Sequence, residues 1–198
     1  MTYDYHIVLG AIAAVGSLVG YGLYFRSIFR GITKPHPFSW LIFVVLDGTV
    51  FVAQVVSGGG PGAWVTGVSA LMNALIFLLA LTRGEKRIAK VDWVCLACAF
   101  FGIVLWWITD QPLLGVVFAA AADAIAKVPT LRKSYLRPDE ESITLWSLDI
   151  LKFSLSIAAL SSVTLTTALF PAEAVVTNGL LVILILLRRR QLDRIPKS

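Results

Sequence analysis

The sequence predicts an all-α integral membrane protein with seven transmembrane helices, and three observations predict it. First, 58% of the 198 residues are hydrophobic and only 15% are charged; with a mean hydropathy of +0.82, this composition excludes a typical soluble domain. Second, the apolar residues form seven runs, and one transmembrane helix needs about 20 such residues. Third, basic residues gather in every second connection between the runs. Residues 1–198 therefore form a single membrane domain.

Turn-forming residues separate the seven apolar runs. We expect helices near residues 6–25, 38–57, 62–82, 93–110, 113–130, 143–169 and 172–188. The last connection is predicted at Phe170-Pro171, because proline interrupts helical hydrogen bonding. No basic segment precedes the first run, and the run is long enough to span, so we expect it to be a transmembrane helix and not a cleaved signal peptide.

The distribution of charge predicts how the chain is oriented. Alternate connections and the C-terminus hold Lys and Arg, and the intervening connections hold neither. The basic sets are Arg26, Arg30 and Lys34; Arg83, Lys86, Arg87 and Lys90; Arg132, Lys133 and Arg137; and Arg188, Arg189, Arg190, Arg194 and Lys197. Basic loops remain in the cytoplasm. We therefore expect the N-terminus outside and the C-terminus in the cytoplasm, in a plasma or inner membrane. The net charge is +5, but the basic residues lie at helix ends and do not form a continuous basic face. No nucleic-acid partner is therefore expected.

An internal repeat is visible when the chain is compared with itself. A shift of 106 residues aligns Trp40 with Trp146, and one deletion then aligns Asn73 with Asn178. Both copies run in the same direction, since each leads into a basic loop followed by Trp. The predicted plan is 3+1+3. The first three-helix repeat covers residues 6–82, a linker helix covers 93–110, and the second repeat, parallel to the first, covers 113–188. Parallel repeats are a transporter architecture whose substrate site lies between the halves, near the membrane midplane.

This plan resembles the PQ-loop, MtN3 and SWEET group of small-solute transporters. Residues 129–135, Pro-Thr-Leu-Arg-Lys-Ser-Tyr, followed by Pro138 and Ser142, are similar to the second PQ-loop motif, with Thr in place of the usual Gln. The matching place in the first repeat is Leu23-Tyr24, without the proline. The resemblance implies a solute carrier in which one Asn from each repeat faces a central cavity and binds solute; these residues are Asn73 and Asn178.

Five charged residues lie inside the predicted spans: Asp47, Asp123, Lys127, Asp149 and Lys152. Each costs roughly 2.5–3.5 kcal/mol at mid-helix, so these side chains should avoid lipid. Asp123 and Lys127, and likewise Asp149 and Lys152, are spaced to form ion pairs along one helix. Asp47 has no basic residue within four positions. We expect Asp47 to couple transport to protons, with Asp123 or Asp149 as the fallback, because unpaired intramembrane acids mark proton routes.

Several other residues in the spans have two interpretations. Asn73 and Asn178 bind solute or hold helices together. Trp64 and Trp146 stack on a ring-bearing solute or anchor helices in the headgroup region. Pro129 provides a hinge or ends the fifth helix.

The sequence thus favours a carrier that moves a small polar solute by alternating access, with proton coupling as a further expectation. The alternative is a seven-helix receptor or sensor without transport activity. The spans contain no HExxH, Ser/His or GxGD pattern, so we expect no enzyme. Cys95 and Cys98 are predicted to be buried thiols, and no metal or cofactor is expected. The lipid bilayer is then the main partner besides the solute and protons.

Overall fold

Seven α-helices make up the described part of the protein. The structure is a computed structural model that describes residues 4–31, 35, 37–83, 90–136, 138–140 and 143–193. All regular structure in these ranges is helical, which confirms the all-α part of the prediction. The helices are α1 Tyr5–Phe29, α2 Pro37–Val56, α3 Trp64–Arg83, α4 Lys90–Thr109, α5 Pro112–Leu136, α6 Ile143–Ala158 and α7 Leu165–Asp193, with short 3-10 turns at Gly60–Ala63 and Pro138–Glu140.

Five of these helices are long and apolar enough to cross a membrane: α1, α2, α3 with its preceding turn, α5 and α7. The apolar part of α4, Trp93–Thr109, is shorter. Helix α6 has 16 residues, which at 1.5 Å per residue extends about 24 Å and falls short of a hydrocarbon core of about 30 Å. Several long apolar helices of this kind are typical of a membrane-embedded protein.

The boundary between the last two helices differs from the prediction. Helix α6 ends at Ala158, not at residue 169, and α7 begins at Leu165, so the predicted break at Phe170-Pro171 is wrong. The cause is a reciprocal cap: the Thr167 N–H donates to Thr164 Oγ1 at 3.3 Å, and the Thr164 N–H donates to Thr167 Oγ1 at 2.9 Å. Hydroxyl caps of this kind start a helix without a glycine or proline signal.

Pro171 lies inside α7, where it removes one helical donor. The carbonyl four residues earlier, that of Thr167, would normally accept that hydrogen bond. Instead it accepts one from the Gln54 side chain of α2, with Nε2 and O 2.7 Å apart. A partner from another helix thus satisfies the carbonyl that the proline frees. Helix α5 likewise passes through Pro129 to Leu136, so Pro129 does not end it.

Packing places the first three helices against the last three. Helix α3 contacts both α1 and α2, and α7 contacts both α5 and α6. Contacts between the two groups run mainly between α1 and α6 and between α2 and α5, while α4 packs on α5 and α2. The buried centre includes side chains from both groups: Leu46, Val50, Phe153 and Ala174.

The turn after α2 and the loop after α6 meet on one side of the bundle. The Ser161 N–H donates to the Gly59 carbonyl at 3.1 Å, and Gly10 of α1 lies against Pro61. Two glycines of the turn have positive φ, +74° at Gly58 and +59° at Gly60, a region that residues with a Cβ rarely adopt. We name this side, where α1 begins, the N-terminal side.

Candidate functional site

The first buried polar group joins α1, α2 and α3. The Tyr21 hydroxyl donates to Asn73 Oδ1 at 2.9 Å, and Asn73 Nδ2 donates to Asp47 Oδ2 at 2.7 Å. Asp47 is 8% exposed and Asn73 is 3% exposed. The amide therefore uses its acceptor and one donor to link a phenol to a carboxyl group. We name these three residues the Asp47 cluster.

A lysine from α6 lies near the Asp47 cluster. Lys152 forms an ion pair with Asp149 at 2.9 Å, as the spacing predicted. Its ammonium also interacts electrostatically with Asp47 and Tyr21 and lies 4.5 Å from the centre of the Phe153 ring. The positive charge that interacts with Asp47 thus comes from the last three helices, and it is shared with Asp149.

The second polar group, which is mostly but not fully buried, joins α5 and α7. Lys127 forms the predicted ion pair with Asp123, donates to Thr177 Oγ1 at 2.8 Å and lies 3.6 Å from a carboxyl oxygen of Glu173. The Lys127 side chain is 13% exposed, and the two acids are each 14% exposed. One ammonium group thus faces two carboxyl groups. We name these four residues the Lys127 cluster.

Glu173 was missed in the sequence because the predicted helix began at residue 172, which put this acid at a helix end. With α7 beginning at Leu165, Glu173 lies in its third turn. The described helices therefore hold four interior acids against two lysines, not three against two; the acids are Asp47, Asp123, Asp149 and Glu173. Tyr21 and Gln54 were also missed, since their roles depend on partners in other helices.

Asn178 differs from its repeat-related counterpart Asn73. Its side chain is 1% exposed, yet its Oδ1 accepts no hydrogen bond from the described residues. A buried acceptor without a donor costs about 1–3 kcal/mol. The Asn178 Oδ1 of α7 is thus free to accept a hydrogen bond, whereas the corresponding Asn73 Oδ1 of α3 already accepts one from Tyr21.

The remaining predicted residues lie outside these clusters. Trp64 begins α3 and is 41% exposed, while Trp146 is partly buried in the first turn of α6. Solute stacking by either indole and a hinge at Pro129 stay predictions. The Cys95 and Cys98 thiols donate to backbone carbonyls of α5. In the described ranges, no group of three His, Cys, Asp or Glu side chains is placed to hold a metal.

No protein-family model, no curated protein and no solved structure matches this chain. Its function is therefore inferred from the contacts within the chain itself.

Proposed function

We propose that the chain is a membrane carrier that moves a small polar solute by alternating access between two three-helix units. The first unit is α1, α2 and α3, the second is α5, α6 and α7, and α4 links them. All seven helices cross the membrane in this proposal, with the N-terminal side outside, because the basic connections lie at the opposite helix ends. The site lies between the units.

The observation that carries the proposal is the match of buried positions at the repeat offset. Helix α1 buries Gly10, Ala13 and Ser17. The residues of α5 that lie 106 positions later are Val116 and Ala119, which are buried, and Asp123, which is mostly buried. At an offset of 105 residues, four buried residues of α3 match four of α7: Val65, Ser69, Asn73 and Ile76 with Phe170, Ala174, Asn178 and Leu181. Two helices with the same buried face pack in the same way.

The packing order also supports two related units. Helix α3 contacts α1 and α2 as α7 contacts α5 and α6. In the proposed repeat, α1 corresponds to α5 and α2 corresponds to α6. A contact between α1 and α6 should therefore have a counterpart between α5 and α2, and both contacts are present. This reciprocity is expected of two parallel repeats related by rotation about the membrane normal.

Polar side chains occupy matched positions in the two units. The pairs are Ser17 with Asp123, Tyr21 with Lys127, and Asn73 with Asn178. Polar groups in transmembrane helices are costly unless they face protein, water or a ligand. At these matched positions the first unit has neutral hydrogen-bonding groups, and the second has part of a charged cluster and the open acceptor of Asn178. In this proposal these groups line the solute site, and they suit a polar solute that donates hydrogen bonds.

We further propose that Asp47 carries the coupled proton. Lys152, the lysine that interacts with Asp47, is already paired with Asp149. A buried carboxylate without a full counter-charge costs several kcal/mol, so a bound proton is the cheaper state in part of the cycle. Asn73 donates to Asp47, and this contact links the proton site to a proposed solute residue.

The test begins with the purified protein and a library of sugars, amino acids and nucleosides, read out by thermal stabilisation. Stabilising solutes are then offered to proteoliposomes with and without a pH gradient. We expect saturable uptake, weaker in Asn73→Ala and in Asn178→Ala than in the exposed control Thr109→Val. Absence of uptake of any stabilising solute refutes the carrier, and wild-type uptake by the double Ala variant assigns both amides to helix packing.

Asp47→Asn tests the coupling separately. The amide keeps an oxygen that accepts the Asn73 hydrogen bond but carries no exchangeable charge. We expect this variant to exchange solute at a near wild-type rate and to lose accumulation driven by the pH gradient. Equal accumulation by variant and wild type removes the coupling and leaves a facilitator.

A further inference from the structure

The two proposed units touch closely on the N-terminal side, where glycines leave no room for side chains. A Cβ atom at Gly62 would lie 2.7 Å from the Ser156 carbonyl oxygen and 2.6 Å from a methyl carbon of Leu160. A Cβ atom at Gly60 would overlap the Ser161 side chain. Backbone of the turn between α2 and α3 therefore packs directly on α6 and on the loop that follows it.

Three hydrogen bonds cross between the units at this same place. The Ser161 N–H donates to the Gly59 carbonyl at 3.1 Å, the Ser156 hydroxyl donates to the Gly62 carbonyl at 2.7 Å, and Gln54 donates to the Thr167 carbonyl. The contacts between the units thus combine van der Waals packing with hydrogen bonds to backbone carbonyls.

Gln54 holds the deepest of these contacts. Its side chain is fully buried, and its Oε1 accepts from the Thr66 hydroxyl at 2.6 Å, so one amide links α2 and α3 to α7. Its Nε2 is needed at Thr167 because Pro171 supplies no N–H to that carbonyl. Any separation of the units here would leave the Thr167 carbonyl to accept from water.

The opposite end of α7 makes a different kind of contact. Arg188 donates to the Tyr135 carbonyl at 3.0 Å, and Arg189 donates to the Pro138 carbonyl at 3.0 Å. Tyr135 lies in α5, and Pro138 lies two residues beyond the end of that helix. These bonds therefore connect parts of the second unit, whereas the bonds on the N-terminal side connect the two units.

We propose that Gln54, Gly60 and Gly62 form a gate on the N-terminal side, closed in this structure, which opens when the two units rock apart. The inference rests on the carrier proposed above and adds which end is closed and which residues close it. Because glycine has no side chain, the two backbones can come into direct contact in the closed state, with no interlocking side chains to hold them there. Hydrogen bonds to carbonyls can be exchanged for water when the gate opens.

A distance measurement tests the gate without any solute. Spin labels are placed at the exposed Val56 and Val163, at the end of α2 and in the loop before α7, in protein whose two cysteines are replaced by Ala. Double electron–electron resonance in nanodiscs should give a short-distance population from the closed gate. Gly62→Leu should remove that population and yield a longer distance. Gly22→Leu should retain it, because a Cβ atom at Gly22 would lie more than 4 Å from every other helix.

Gln54→Leu gives a second variant in case Gly62→Leu does not yield folded protein. It removes both polar contacts at nearly constant volume and should shift labels from the short to the long distance. An unchanged single distance in wild type, Gln54→Leu and any folded Gly62→Leu overturns the gate, because the two units would then be permanently joined.

A reversible cross-link tests whether the gate moves during transport. A Cβ atom at Gly58 would lie 3.9 Å from the Ser162 Cβ, close to the disulfide mean of about 3.8 Å. The pair Gly58→Cys with Ser162→Cys should cross-link on oxidation, lose solute uptake and regain it on reduction. Each single-Cys protein serves as a control, for oxidation and for the strain of Cys at the positive φ of position 58.

The two proposals fail in different ways. Undiminished uptake by the fully cross-linked protein overturns the gate and leaves the carrier intact. Failure of wild type to transport any solute refutes the carrier, and the label distances still decide whether the N-terminal side opens.

Discussion

Lys127 is predicted to stabilise the fold as the shared counter-charge of two acids. Its ammonium pairs with Asp123, lies 3.6 Å from Glu173 and donates to Thr177 at 2.8 Å. Lys127→Met keeps a similar chain length and removes the charge, so two carboxyl groups face each other without a cation. Breaking a buried ion pair by removing one partner costs roughly 3–5 kcal/mol. Because these side chains are 13–14% exposed, we expect a loss of about 3 kcal/mol.

The assay is thermal unfolding in detergent, with all variants scanned at one rate so that apparent Tm values are comparable. For a chain of this size, 1 kcal/mol corresponds to roughly 2–4 °C, so Lys127→Met should lower Tm by about 6–12 °C. Adding Asp123→Asn and Glu173→Gln to Lys127→Met should recover much of the loss, because neutral amides need no counter-charge. The exposed control Lys90→Met should shift Tm by about 2 °C or less.

Two results would refute this reasoning. One is a Tm for Lys127→Met within about 2 °C of wild type, which a buried counter-charge does not allow. The other is a triple variant no more stable than Lys127→Met alone, since the cost would then arise from lost packing and not from unpaired acids.

The remaining predictions concern single contacts, each measured by the same thermal unfolding. Gln54→Leu leaves the Thr167 carbonyl without its side-chain donor and should cost about 1–3 kcal/mol; unchanged Tm would show that another donor replaces it. Tyr21→Phe removes one hydrogen bond and should cost about 1 kcal/mol, with no loss expected if water takes its place. Gly115→Leu places a Cβ 2.9 Å from Trp106 and should cost about 1–3 kcal/mol by overpacking. The control Gly16→Leu, with open space around that position, should be tolerated. Equal effects of the two substitutions would contradict the packing of α4 on α5.

Composition and residue spacing were enough to predict long apolar helices typical of a membrane-embedded protein, and the local ion pairs. Hydropathy reports how favourably each segment enters lipid, and this depends on composition alone. Asp123 with Lys127, and Asp149 with Lys152, were predictable because residues three or four apart in one helix lie on the same face whatever that helix packs against. The approximate bounds of the first five helices followed from turn residues and apolar runs.

The end of α6, the acids that share a lysine and the partners of Asp47 depend on contacts between helices, which the sequence pattern does not reveal. The run from residue 143 to 169 has no Gly or Pro, so its break depends on the Thr164 cap and on packing against the turn after α2. The partners of Asp47 and Thr167 lie 26 and 113 residues away in the chain. Each depends on the rotation of two helices about their axes, and hydropathy does not specify which face of an almost wholly apolar helix meets its neighbour.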